Sequence, residues 1–165
     1  MVVDVSGAVY SFGHGGSARL RHGDEEIQFT PRVIEALRSV RVCAAAAGGA
    51  HSLVLGAGGE VYSFGFDAYG QLGHGSQANQ PTPQVIKALK GIKVRAVAAG
   101  RLHSLVVSSA GEVYSFGNGT SGRLGHGDEQ IQLTPKVIEA LAGVKVREVA
   151  AGVGHSLVLS EDGVV

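Results

Sequence analysis

The sequence predicts an all-β chain of tandem antiparallel blades. Three observations predict it: one set of motifs recurs at a fixed step, short β-branched and aromatic runs recur inside that step, and glycines punctuate both. GAVYSFG opens at Gly7, and GEVYSFG opens at Gly59 and again at Gly111, a step of 52 residues. The same step carries His51-Ser52-Leu53 to His103-Ser104-Leu105 and His155-Ser156-Leu157, and Thr30-Pro31 to Thr82-Pro83 and Thr134-Pro135, without a gap. Units therefore run over 7–58, 59–110 and 111–162 within one repeat domain spanning 1–165, with partial units at 1–6 and 163–165.

Within a unit, Val61-Tyr62-Ser63-Phe64 and His103-Ser104-Leu105-Val106-Val107 read as strands. Gly56-Ala57-Gly58-Gly59 suits a hairpin turn between the two strand types. Val94 to Ala99, closed by Gly100, reads as a third strand. The fourth segment, Thr134 to Leu141, admits two readings. Its Thr-Pro start fits a helix N-terminus, but eight residues fall short of the roughly 12 that sustain a helix alone, so a helical turn and an edge strand both stand. A few short strands per unit of about 50 residues fit a propeller blade or a related stacked β-unit, and such a sheet needs neighbours to cover its apolar faces.

Composition agrees with a folded chain of many turns: 165 residues, 44% hydrophobic and 17% charged, with 26 glycines. Lys plus Arg equals Asp plus Glu at 14 each, so no bulk positive field exists to hold a nucleic acid or an anionic membrane. Cys43 is the single cysteine and cannot form an internal disulfide. The N-terminus lacks a signal-peptide pattern, and no apolar run reaches the roughly 18 residues of a membrane span. These features point to an intracellular compartment, cytoplasmic or nuclear.

The tract from Val97 to Gly117, V-A-A-G-x-x-H-S-L-V-V-S-S-A-G-E-V-Y-S-F-G, followed by Gly122-Arg123-Leu124-Gly125-His126-Gly127, resembles the regulator of chromosome condensation repeat family. The resemblance covers almost the whole chain. It implies blades of four antiparallel strands, seven to a closed ring, in which the glycines and the H-S-L histidine are structural and the Thr-Pro segment enters a blade's outer strand. It also implies a choice among functions: exchange on the small GTPase Ran, ultraviolet-B sensing, or service as an interaction domain of larger proteins such as ubiquitin ligases. The chain has no Trp, so tryptophan-based light sensing lacks its chromophore. The unbroken 52-residue step leaves no place for the inserted wedge of the exchange factor, and repeats leave no room for a ligase domain. A non-catalytic protein-binding module is the expected function; nucleotide exchange on a small GTPase is the alternative.

A few residue patterns resemble chemical sites. Gly117-Asn118-Gly119-Thr120-Ser121-Gly122 matches G-x-G-x-x-G, but neither counterpart unit keeps it and a Gly-rich turn follows in place of a helix, so no cofactor is expected. His51, His103 and His155 lack a second ligand at metal spacing, so no metal is expected. They read as structural rings whose N–H bonds a backbone carbonyl, and Gly65 and Gly117 as structural turn residues. A His51-Ser52 dyad is excluded because adjacent strand residues face opposite sides. His22, His74 and His126 read as loop anchors, and Cys43 as a strand residue at the position of Arg95 and Arg147.

Partner contacts are expected where the units differ. The acidic loop Asp24-Glu25-Glu26 and its counterpart Asp128-Glu129 are replaced by Ser76-Gln77-Ala78 in the middle unit. Asp67 and Arg101 join them, the latter in the turn before His103 where the other units show Ala50 and Gly154. Net charge is +1, +3 and −3 for the three units in order, a graded rim able to orient a partner. Self-association is expected of the isolated chain, because three units cannot close a seven-fold ring and both terminal sheets would leave edges open.

Overall fold

The computed structural model describes residues 1–20 and 26–163. Thirteen strands form four antiparallel sheets among the described residues. The first holds β1 (Val2–Val3), β2 (Val9–Gly13) and β3 (Gln28–Val33). The second holds β4 (Val42–Ala47), β5 (His51–Gly56), β6 (Val61–Gly65) and β7 (Gln80–Val85) in that order. The third repeats it with β8 (Val94–Ala99), β9 (His103–Ser108), β10 (Val113–Gly117) and β11 (Gln132–Val137). The fourth is the pair β12 (Val146–Ala151) and β13 (Ser156–Ser160). Two complete four-stranded blades thus stand between two partial ones.

The Thr-Pro segment resolves into both of its readings in succession. Thr134 and Pro135 lie within the outer strand β11, and a single 3-10 turn follows at Glu139–Leu141. A proline cannot donate to a ladder, and an outer strand with one free side tolerates that loss. Pro31, Pro81 and Pro83 occupy the outer strands β3 and β7 in the same way.

Strand alternation sends neighbouring side chains to the two adjacent sheets. Leu105 and Val107 pack with Val146 and Ile138 toward the fourth sheet. Val106 and Phe116 pack the other way, with Leu55, Val61, Ile86 and Leu89 of the second. Val54 and Phe64 do the same against Val9, Ile34 and Leu37 of the first. The core is therefore a series of apolar layers, each shared by two consecutive sheets. No helix among the described residues is long and apolar enough to cross a membrane.

Candidate functional site: sheet seams and rim grooves

The seam between the second and third sheets and the seam between the third and fourth are each stitched by a histidine and a serine from successive units. Nε2 of His51 lies 2.9 Å from Oγ of Ser104, and Nε2 of His103 lies 2.9 Å from Oγ of Ser156. The Ser104 hydroxyl donates its one proton to the Gln71 carbonyl at 2.7 Å, and Ser156 donates to the Arg123 carbonyl at 2.8 Å. Each oxygen is then an acceptor toward the ring, so Nε2 carries the proton and donates. The sequence predicts a backbone carbonyl as the acceptor of the ring N–H; a serine hydroxyl stands between the two and relays the contact across the seam.

The rings also explain the glycine three residues before each histidine. A Cβ at Gly48 would sit 2.5 Å from Cε1 of His51, and one at Gly100 would sit 2.3 Å from Cε1 of His103. Any other residue there would displace the ring. Burial holds His51 well below the usual imidazole range, at about 3, with the neighbouring His103 adding to the shift. Burial likewise lowers His103 to about 4, helped by the charge of Arg123. Both rings are neutral at pH 7. His155 repeats the ring placement over Gly152, but it is exposed because no further sheet covers it.

Gly65 and Gly117 turn the chain out of β6 and β10 at φ +110° and +108°, where a Cβ would meet the Ala50 and Leu102 carbonyls at 2.6 Å. The loops that leave these glycines return over their own sheets and are tied down by the serine of Y-S-F. Ser63 donates to the Leu72 carbonyl at 2.7 Å and receives Nε2 of His74 at 2.9 Å; Ser115, Leu124 and His126 repeat the pattern at 2.7 and 2.9 Å. His22 lies outside the described residues. The G-x-G-x-x-G tract opens onto a 3-10 turn at Thr120–Gly122 with Ser121 at φ 64°, which supplies no helix N-terminus for a pyrophosphate. Among the described residues no group of three His, Cys, Asp or Glu side chains could hold a metal ion.

The partner candidates divide by location. Asp128 and Glu129 are exposed, and each carboxylate braces its own loop, Asp128 through the Gln130 N–H at 2.9 Å and Glu129 through the Ser121 N–H at 2.7 Å. Glu26 is exposed, whereas Asp24 and Glu25 lie outside the described residues. Arg101 is exposed, and the repeat sets it opposite Gly49 and Val153, not Ala50 and Gly154. Asp67 is a correction: it is fully buried, so it cannot serve as a surface contact. Its Oδ1 accepts the Leu72 N–H at 2.9 Å, inside a loop where the other units have Gly15 and Gly119. Burial raises its carboxyl to about 6, against the opposing pull of that hydrogen bond.

Arg101 has a counterpart across the same seam. Arg19 reaches the Gly49 carbonyl at 2.7 Å and Arg123 reaches the Val153 carbonyl at 3.1 Å, each clamping the next sheet's turn. At the middle seam Gln71 takes the place of these arginines, opposite Arg101. An arginine there would bring two guanidinium groups to one turn.

The rim carries a second repeated feature. Each unit has a groove between its hairpin glycine and the 3-10 turn after its outer strand, of about 620 Å³ at Gly7, 480 Å³ at Gly59 and 410 Å³ at Gly111. The Regulator of chromosome condensation (RCC1) repeat profile matches residues 6–55, 58–107 and 110–159, nearly the full chain. The chain belongs to the RCC1 repeat family. Among its relatives, human E3 ubiquitin-protein ligase HERC2 is 42% identical over 167 residues, covering 99% of this chain and 4% of the ligase. Ultraviolet-B receptor UVR8 of Arabidopsis thaliana is 39% identical over 156 residues, covering 94% of this chain and 36% of the receptor. The chain thus spans well under two-thirds of these relatives.

Solved structures agree on the fold. Human WBSCR16 superposes with a TM-score of 0.86 at 25% identity, over 96% of this chain and 41% of that one. Prp20p of Saccharomyces cerevisiae superposes with a TM-score of 0.81 at 28% identity, over 99% and 41%. The sheets described above are RCC1-type propeller blades, about three in number, and the family supports a protein-interaction role for the chain.

Proposed function

We propose that the chain is a non-catalytic protein-interaction module, in which the seams supply a rigid series of blades and the rim selects the partner. One observation carries this reading: the repeated serines and histidines spend their protons on structure. Ser52, Ser63, Ser104, Ser115 and Ser156 each donate to a backbone carbonyl. His51, His74, His103 and His126 then donate to serine oxygens and cannot act as bases toward them. The exposed positions Glu26, Arg101, Asp128 and Glu129, by contrast, differ between units, as a selective surface requires.

Exchange on a small GTPase is the second reading, favoured by the likeness to Prp20p, whose structure was described together with its binding to Gsp1p and histones. Release of fluorescent GDP from a small GTPase separates the two. Unchanged release in the presence of the chain supports the interaction module, and accelerated release overturns it.

A further inference from the structure

The three rim grooves hold the same place in their units and differ in charge. In the second unit Val61, Ile86 and Leu89 form a buried floor, and Lys87, Lys90 and Lys93 line the rim. Lys87 opens the 3-10 turn and Lys90 closes it through a backbone bond of 3.0 Å to the Lys87 carbonyl. Side chains three apart eclipse in such a turn, so two like charges are brought together. The first unit has an ion pair at the corresponding positions, Glu35 with Arg38 at 2.5 Å. The third has Glu139 and Ala142, with no repulsion.

The middle unit therefore exchanges an attraction for a repulsion across its 3-10 turn. Among the described residues none of the three lysines has an ion-pair partner. The groove's one carboxylate, Glu60, lies over the hairpin turn beside Gly56 and Gly58. Like charges held at a fixed site are relieved by an anionic ligand. The apolar floor, with Val85 still 41% exposed at its edge, adds room for one large apolar side chain.

We infer that the second-unit groove docks an acidic peptide segment that seats one apolar side chain on Ile86 and Leu89 and sets its carboxylates against Lys87, Lys90 and Lys93. A nucleic acid fits less well, because phosphates need a longer basic track and the net charge falls from +3 to −3 in the next unit. The inference rests on the interaction-module reading and names the chemistry of one partner.

Fluorescence polarisation with the 165-residue chain tests it, using a fluorescein-labelled peptide that carries a single leucine among aspartates and glutamates. Saturable binding is expected, weakened roughly tenfold by Lys87→Glu, by Lys90→Ala, and by serine in place of the peptide's leucine. Lys87→Glu recreates the first unit's ion pair, so its unfolding midpoint should hold or rise, and loss of binding cannot then come from misfolding. No saturable binding, an unchanged affinity in Lys87→Glu, or equal affinity for the serine peptide overturns the proposal. Tighter, lysine-dependent binding of a labelled single-stranded oligonucleotide overturns it in favour of a nucleic-acid surface. Each of these failures removes the groove alone, whereas the interaction-module reading falls separately, on accelerated GDP release.

Discussion

His51 and Ser104, 53 positions apart in the chain, meet at 2.9 Å across the seam of the second and third sheets, with the imidazole N–H directed at the serine oxygen. Replacing either residue by alanine leaves a buried polar partner unsatisfied, which costs roughly 1 to 3 kcal/mol. Urea unfolding of His51→Ala and Ser104→Ala should show that loss, and the double variant should lose less than the sum. His155→Ala, whose ring is exposed, should stay within about 0.5 kcal/mol of the parent. Equal losses at His51 and His155 would mean that the seam contact contributes nothing.

The pH dependence follows from the same rings. Their folded values, about 3 for His51 and about 4 for His103, lie below the unfolded value of about 6.5. The unfolded chain binds more protons between those limits, so this stability is present above about pH 6.5 and is lost as pH falls toward 4 and then 3. Each ring contributes a slope of at most about 1.4 kcal/mol per pH unit. Stability measured from pH 7 to pH 4 should therefore decline, and the decline should flatten when His103 is replaced by Gln.

Asp67 acts with the opposite sign. Its folded value of about 6 exceeds the unfolded 3.8, so the folded chain binds the extra proton between those limits, and stability falls as pH rises through 6. Asp67→Asn keeps an oxygen for the Leu72 N–H and removes the buried charge. The variant should gain stability at pH 7, on the order of 1 kcal/mol, and gain little at pH 4. A weakened protein–protein contact with unchanged stability would return Asp67 to the surface.

How far the fold was legible depends on the range of the interaction. Val94–Ala99 was readable as a strand from its run of small and β-branched residues, and the 52-residue step placed its counterparts. The Thr134 to Leu141 segment stayed ambiguous because local rules could not supply the neighbouring ladder that makes Gln132–Val137 an outer strand. The relay from His51 through Ser104 to Gln71 was not legible at all, since it depends on how successive sheets stack. For Asp67 a signal was available: the other units have glycine there, which marks a loop interior more than a contact surface.

Self-association is the expected behaviour of this 165-residue chain, and its end faces show where. Leu53 and Leu105 are 0% exposed because the next sheet covers them, whereas Leu157 at the same register is 51% exposed. At the other end Phe12 is 43% exposed, while Phe64 and Phe116 are 0% exposed. The fourth sheet contributes β12 and β13, counterparts of the first two strands of a blade, and the first sheet contributes β2 and β3, counterparts of its last two, with the two-residue β1 paired to β2. The faces around Leu157 and Phe12 thus carry complementary parts of one blade-to-blade contact. A second copy could complete it by pairing end to end, and a pairing that fails to close would propagate. Light scattering should give a molar mass that rises with concentration through the micromolar range. Leu157→Lys should lower that mass without unfolding the chain, since the substituted position is at the open end and no buried contact is lost. A parent chain that stays monomeric and unfolds cooperatively at the same concentrations would refute the end-to-end pairing and would require the two end faces to be covered from within the chain.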